Sequence, residues 1–209
     1  MKKIGAIGFD WGGVVSQYPG GSFNDAAAAF LGVDNEAFRR AYFLHNHMVN
    51  KGPDAKSYET AVEMWLEILT ELGIPEKTDA FVGFVRNRPQ AQINEEVVGL
   101  IKRLRRLGWK VGLFSNNSSE NARDFRFRGY DAWFDVSLFS GDVDCMKPEP
   151  RAFEMLAEAL GVPVAELVFI DDSERSLSRS NEIGYEPILF TTTEALIARL
   201  EELGILRGI

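Results

Sequence analysis

Three groups of polar residues stand where apolar runs stop, and a fourth stands in a loop. Asp10 closes the run at 4–9 and is followed by Trp11, Gly12 and Gly13. Ser115 and Asn116 close a second run within WKVGLFSNN, and Asp171 and Asp172 close a third, LVFIDD. Lys147 stands in the loop SGDVDCMKPEP. Carboxylates with a lysine and a hydroxyl suit transfer of a phosphoryl group to water. A carboxylate can attack phosphorus to give an aspartyl phosphate. Lysine and hydroxyl groups can bind the phosphoryl oxygens, whose charge must be stabilised during transfer. Magnesium takes hard oxygen ligands, which Asp10 and Asp172 could supply. Taken singly, each group also reads as ordinary loop chemistry. Asp10 could start a turn, Ser115 and Asn116 or the Asp171–Asp172 pair could cap the following helix, and Lys147 could be a solvated loop residue.

The elements that must position these residues follow from the pattern. Short apolar runs ended by turn residues read as buried strands. Ligands of open parallel sheets bind beyond the carboxyl ends of the strands, and glycines at 12 and 13 let backbone approach a ligand closely. After the loop SQYPGG the pattern turns helical as far as residue 88. Ser22 caps a helix to residue 31, and Asp34 caps a second, EAFRRAYFLHNHMV. Residues 51–55 break the pattern, and Ser57 opens YETAVEMWLEILTELG. There Ala61, Met64, Trp65, Ile68, Leu69 and Leu72 form an amphipathic stripe ending at Gly73. Pro75 starts a short helix with Phe81, Val82, Phe84 and Val85, and residues 86–90 read as a linker. No strand pattern interrupts 22–88, which predicts an all-helical insertion after the first strand.

From Asn94 helix and strand alternate. EEVVGLIKRLRRLG is a helix, WKVGLFSNN a strand, and Ser118 or Ser119 caps ENARDFRFRG. Residues 133–139 read as a strand, and Pro148 takes the first position of the helix EPRAFEMLAEALG. LVFIDD and EPILF are strands, and SERSLSRSNEIG and TTEALIARLEELG are helices. Such alternation predicts right-handed crossovers and a parallel sheet covered on both faces. The expected organisation is an α/β core at 1–16 and 90–209, with the helical insertion at 17–89.

Composition narrows the partners. With 209 residues and 45% hydrophobic content, the chain can bury a sizeable core. A net charge of -8 argues against nucleic acid or an anionic membrane as the main partner, though a small anionic substrate can still meet a local cationic pocket. The single cysteine, Cys145, fits a reducing compartment and reads as a small buried hydrophobe rather than a catalytic thiol. No apolar run approaches the ~18 residues of a membrane span. Lys2 and Lys3 precede an apolar run, but one too short for a signal peptide, so the expected location is the cytoplasm.

Taken in order, these stretches resemble the motifs of the haloacid dehalogenase-like hydrolase superfamily, mostly phosphatases. FDWGGVV resembles the first motif, LFSNN the second, KPEPRAF the third and FIDDSERSLSRSNEIG the fourth. The insertion falls where one subgroup carries its helical cap. The branch resembled includes sugar-phosphate phosphatases and the amino-terminal phosphatase domain of soluble epoxide hydrolase. The resemblance implies a Rossmann-like core with a helical cap, and magnesium-dependent (Mg2+) hydrolysis of a small phosphorylated metabolite through an aspartyl phosphate. It implies that Asp10 is the nucleophile and a metal ligand, and that the Gly12 carbonyl is a second ligand. Ser115 would bind the phosphoryl group with the Asn116 backbone nearby, and Lys147 would balance the charge. Asp172 would hold the metal with Asp171 supporting it. A cap over the strand ends would exclude water and select the substrate.

Two positions depart from the family pattern. Gly12 stands where most phosphatases of the family have an aspartate acting as general acid and base, and Ser176 stands where the fourth motif often has Asp or Asn. The vacancy at Gly12 keeps other readings open. One is a carbon–halogen hydrolase, a subgroup that also lacks this aspartate but whose fourth motif is less acidic and holds no metal. The others are a weakly active or non-catalytic binding member, and phosphoryl transfer to another acceptor such as a sugar. His45 and His47 read as ordinary helix-surface histidines, with a substitute acid from the insertion as the alternative. Two residues apart on a helix, they face different ways and do not make a metal site.

Overall fold

The computed structural model describes residues 3–52 and 58–206. Lys2, Ser57 and part of the expected break at 51–55 lie outside the described residues. The chain opens with β1 (Ala6–Phe9) and a two-residue strand, β2 (Ser16–Gln17). It then runs through α1 (Phe23–Leu31), α2 (Asn35–His45), α3 (His47–Asn50), α4 (Tyr58–Glu71) and α5 (Thr78–Arg86). It returns by β3 (Gln92–Ile93), which pairs antiparallel with β2, into α6 (Glu95–Arg106) and β4 (Lys110–Ser115). There follow α7 (Ser119–Phe127), β5 (Val136–Phe139), α8 (Pro150–Leu160) and β6 (Leu167–Asp171). The chain closes with α9 (Glu174–Leu177), α10 (Ser180–Ile183), β7 (Glu186–Leu189) and α11 (Thr193–Glu202).

The main sheet is parallel, in the order β5-β4-β1-β6-β7, which makes the fold a Rossmann-like α/β one. β1 is its centre, and every residue of β1 and β6 is buried. Side chains of a strand alternate between faces. Ile7, Phe9, Val111, Leu113, Val168 and Ile170 pack with α6 and α11 on one face. Ala6, Phe114 and Phe169 pack with α8 on the other. Both faces are apolar because both are covered. Helix α8 lies so close that a Cβ on Gly8 would sit 2.6 Å from the Phe169 ring and 2.8 Å from Leu156. Pro187 is tolerated in β7 because that strand is an edge.

The helical segment has an apolar cluster of its own. Phe38, Ile68, Leu69 and Phe81 are fully buried in it, and every member comes from residues 23–85. Ser22 and Asp34 cap α1 and α2, accepting from the N–H groups of Asp25 and Ala37. Asn94 and Ser118 cap α6 and α7 in the same way. No helix among the described residues is long and apolar enough to cross a membrane.

Several boundaries differ from the sequence pattern. Residues 130–133 form a 3-10 turn and the strand begins only at Val136, because the Asp135 carboxylate accepts the Val111 N–H at 2.8 Å and is held by Arg105 at 2.7 Å. Pro148 lies in the loop after a cis peptide bond, and it is Pro150 that takes the first helical position of α8. The helix expected through Val49 is interrupted at buried Asn46, and the fourth-motif helix divides into α9 and α10 near Arg179.

The contact at Gly8 has a measurable consequence. Gly8→Val is expected to destabilise the protein by about 1–3 kcal/mol, the usual range for overpacking a tight core. A lower urea midpoint at unchanged slope would register this; an unchanged midpoint would mean that α8 moves aside freely.

Candidate functional site

From β1 the chain crosses to β4 and β5 on one side of the sheet and later to β6 and β7 on the other. Crossovers leaving in opposite directions open a crevice beyond the carboxyl ends of the central strands, where ligands of such sheets bind. Asp10 follows β1 there, Ser115 ends β4, and Asp171 ends β6 with Asp172 next in the chain. The Asp10 N–H donates to the Ile170 carbonyl at 2.8 Å, which ties the first strand's exit to the strand that carries the Asp171–Asp172 pair.

Lys147 reaches this crevice from the loop before α8. Its side chain is 2% exposed, and its Nζ lies 2.8 Å from Asp10 Oδ1 and 2.5 Å from Asp171 Oδ2. The loop is clasped by Asn116. Its Nδ2 donates to the Lys147 carbonyl and its Oδ1 accepts the Lys147 N–H, both at 2.8 Å. The sequence placed the Asn116 backbone near the phosphate; its side chain has a further part, holding the backbone of the lysine. Asp171 Oδ1 also accepts the Ser173 N–H at 2.9 Å, so each of its oxygens has a partner.

Charge is unbalanced in this cluster. Carboxylate oxygens of Asp10, Asp171 and Asp172 lie within 4.8 Å of one another. Three acids against one ammonium leave a net charge of -2 when all are ionised. Burial, reinforced by the charges of Asp171 and Asp172, outweighs Lys147 and pushes the Asp10 carboxyl up to about 7. Burial and the Asp171 charge push Asp172 up to about 6. Burial pulls Lys147 down, but Asp10 and Asp171 together hold it above its usual value, so it stays cationic. A divalent cation supplies the missing charge, and three hard oxygen donors are the set such an ion takes. These residues therefore fit a magnesium ion.

The glycines after Asp10 divide two tasks. Gly13 has a positive φ of 79°, and a Cβ there would collide with the Asp172 carboxylate. A Cβ on Gly12 would meet nothing within 4 Å. Trp11 packs against Phe125 and Tyr130, with ring centroids 4.8 and 5.3 Å away, and also lines a cleft of about 630 Å³. That cleft lies between the crevice and the helical segment and is bordered by Gly12, Asn116, Tyr18, Tyr42, Trp65 and Arg88, among others.

The helical segment is tied down beside it. Lys51 pairs with Glu149 at 2.9 Å, and Arg175 stacks on Phe43, 4.4 Å from the ring centroid. His45 and His47 line no part of the cleft and join no acid cluster among the described residues. His47 Nδ1 lies 2.9 Å from the Leu44 carbonyl, an ordinary helix-surface contact. Cys145 is buried 3.5 Å from Met155 Sδ, and burial pushes its thiol up, the reverse of an activated nucleophile. Sequence reasoning missed Arg88, which it placed in a linker, and Tyr18, which it placed in a loop. A cation beside a proline at the end of the helical run was the available signal.

A sequence profile of the haloacid dehalogenase-like hydrolase family matches residues 4–177. An enolase-phosphatase E1 of Danio rerio is 25% identical over 162 residues, which cover 71% of this chain and 61% of that relative's length. The phosphatase MT3486 of Mycobacterium tuberculosis is 27% identical over 181 residues, 81% of this chain and 79% of that one. Haloacetate dehalogenase H-2 of Moraxella sp. is 27% identical over 92 residues, 44% and 41% of the two chains. Among solved structures, the family enzyme BT-2542 of Bacteroides thetaiotaomicron, in complex with magnesium and inorganic phosphate, superposes with a TM-score of 0.57. It is 20% identical, over 92% of this chain and 98% of that one.

The raised carboxyls set a pH dependence for cation binding. Protons compete with the ion for Asp10 and Asp172, so magnesium affinity is expected to fall as pH drops through about 7 and then about 6. The fall should approach roughly tenfold per pH unit for each proton displaced. Calorimetric titration between pH 5.5 and 8.5 measures it, and a flat profile would place the cation elsewhere.

Proposed function

The chain belongs to the haloacid dehalogenase-like hydrolase family, and from that premise we propose that it hydrolyses small phosphate monoesters with Asp10 as nucleophile. The observation that carries this reading is the Asp10 carboxylate at the end of the central strand, 2.8 Å from a buried lysine and inside a cluster of three acids. Phosphatase relatives support it. A carbon–halogen hydrolase has no need of the Asp171–Asp172 pair, which favours the metal-assisted reaction over the reading that a dehalogenase relative suggests.

An Asp10 oxygen bonds to phosphorus as the bond from phosphorus to the leaving oxygen breaks. Water then attacks phosphorus, releasing orthophosphate and regenerating the Asp10 carboxylate. Lys147 opposes the burial that favours the protonated form of Asp10, and offers its charge to the phosphoryl oxygens. Ser115 presents a hydroxyl to those oxygens from the end of β4. Asn116 holds the Lys147 backbone in place, and Asp171 holds its ammonium. Asp10, Asp172 and the Gly12 carbonyl would hold a magnesium ion, whose charge would offset that gathering between the Asp10 carboxylate and the phosphoryl oxygens. The helical segment at 17–89 acts as a cap that excludes water and selects the leaving group.

Gly12 offers no proton to the leaving oxygen and no base to the water. A positioned general acid is worth roughly 10²–10⁴-fold in rate. Aryl and acyl phosphates, which leave without help, should therefore be much better substrates than alkyl phosphates. Asp10→Asn should abolish turnover of all of them; near wild-type turnover by a clean preparation of that variant, or halide release from haloacids in chelator, would overturn the proposal.

The open space at Gly12 allows a second measurement. Gly12→Asp should fit without displacing a neighbour. It should raise rates most for esters with the most basic leaving groups. In a series graded by leaving-group pKa, the wild type should show the steeper decline. Parallel lines for the two proteins would mean that another group already delivers the proton.

A further inference from the structure

Eight aromatic rings help wall the cleft beside Gly12 and Asn116, which also contains one cation that no acid among the described residues answers. Arg88 places its guanidinium 4.0 Å from the Tyr18 ring centroid and 4.6 Å from that of Phe23. Tyr42 and Trp65, stacked with centroids 6.0 Å apart, continue the same wall. The other charged residues lining the cleft, Asp124 and Arg128, satisfy each other at 2.6 Å. Among the described residues no carboxylate pairs with Arg88. Burial lowers its pKa, and only the phenols of Tyr18 and Tyr42 act against that. A half-buried cation stacked on aromatic faces keeps the N–H donors at the edge of its planar fork for another partner. That fork matches carboxylate and phosphate oxygens in a two-point contact. The rings that hold it also offer a flat apolar surface to a ligand.

We propose that Arg88 is a specificity-determining residue that binds a second oxyanion on the leaving group of the substrate. The preferred substrates are then phosphate monoesters whose leaving group has a flat or apolar body and a carboxylate or second phosphate at its far end. The reactive phosphate lies at Asp10, the body lies along the aromatic wall, and the distal anion meets Arg88. This inference rests on the phosphate-monoester reading of the site.

The test compares phenyl phosphate with 4-carboxyphenyl phosphate and 1,4-phenylene bisphosphate, each on wild type, Arg88→Ala and Arg88→Lys. Taking the ratio of kcat/KM between esters within each protein, and then comparing proteins, cancels differences in leaving-group chemistry. Wild type should favour the anionic esters, and Arg88→Ala should lose about tenfold or more of that ratio, chiefly through KM. Phenyl phosphate should change little. Arg88→Lys, which keeps the charge without the fork, should retain part of the preference. The two anionic esters distinguish a carboxylate from a phosphate as the group recognised. An unchanged ratio in Arg88→Ala, or no preference in wild type, overturns the inference. Should Arg88→Ala fail to fold, the comparison of Arg88→Lys and Arg88→Gln with wild type decides. A second arm titrates phenylphosphonate and 4-carboxyphenylphosphonate in magnesium by calorimetry, with inorganic phosphate as control. If no ester is turned over, the phosphatase reading fails, and this arm still decides the role of Arg88. Equal affinities of wild type and Arg88→Ala for the carboxylated probe would refute it, while inorganic phosphate should bind both alike.

Discussion

Lys147 is withdrawn from water and held between two carboxylates, and the centre of the molecule is arranged to permit that. A buried ammonium is tolerable only with opposite charge and hydrogen-bonding partners around it. Asp10 and Asp171 provide the charge at 2.8 and 2.5 Å. They come from adjacent strands, β1 and β6, so the parallel register that places Phe9 beside Ile170 also sets the distance between the two acids. Asn116, from the strand on the other side of β1, grips the lysine's backbone at both its N–H and its carbonyl. Three strands and one loop are thereby fixed to one ammonium, and a shift of any of them would strand a charge in the core.

The same arrangement leaves the site short of positive charge. One lysine serves two of the three acids, while Asp172 stands beside Asp171 with no salt bridge of its own among the described residues. The result is a pair of carboxyls, Asp10 and Asp172, that hold protons up to about 7 and about 6. Such a site is destabilised by its own repulsion when ionised and relieved by a cation. Gly13 is part of the same compromise. Its lack of a side chain lets the turn after the first strand pass directly beside the Asp172 carboxylate.

On the proposed reading, chemistry and selectivity are carried by different parts of the chain. The acids, Ser115 and Lys147 all lie on the sheet and its loops. The helical segment has its own apolar cluster and meets the sheet through a few polar and cation–ring contacts. Interfaces of that kind allow relative motion more readily than a continuous core does. The cleft between the two parts is bordered by rings and reaches Gly12 and Asn116, close in the chain to Asp10 and Ser115. A change of leaving group would therefore be accommodated by the helices without disturbing the strands.

What the sequence determined by itself was local. Short apolar runs ended by turn residues and period-3.6 patterns placed the parallel strands and most helices, because buried strands and amphipathic helices write their burial into residue order. Capping by Ser22, Asp34 and Ser118 was legible for the same reason, since a cap acts within three residues of itself. Asp10, Ser115, Lys147 and the Asp171–Asp172 pair were legible as strand-end and loop polar residues, and their order along the chain carried the family resemblance. Tertiary structure decided what depended on distant partners. The Asn116 side chain holds the Lys147 backbone, 31 positions away, a contact its place at the end of an apolar run did not announce. Pro148 read as a helix start, but the clasped loop delays that start to Pro150. Val136 rather than Trp133 begins a strand because Asp135 is bound to Val111 and Arg105. Arg88 and Tyr18, 70 residues apart, meet only because β2 and β3 bring the exit and return of the helical segment together. Contacts between residues far apart leave no period in the sequence, and a polar side chain does not record which of its possible partners the fold will bring to it.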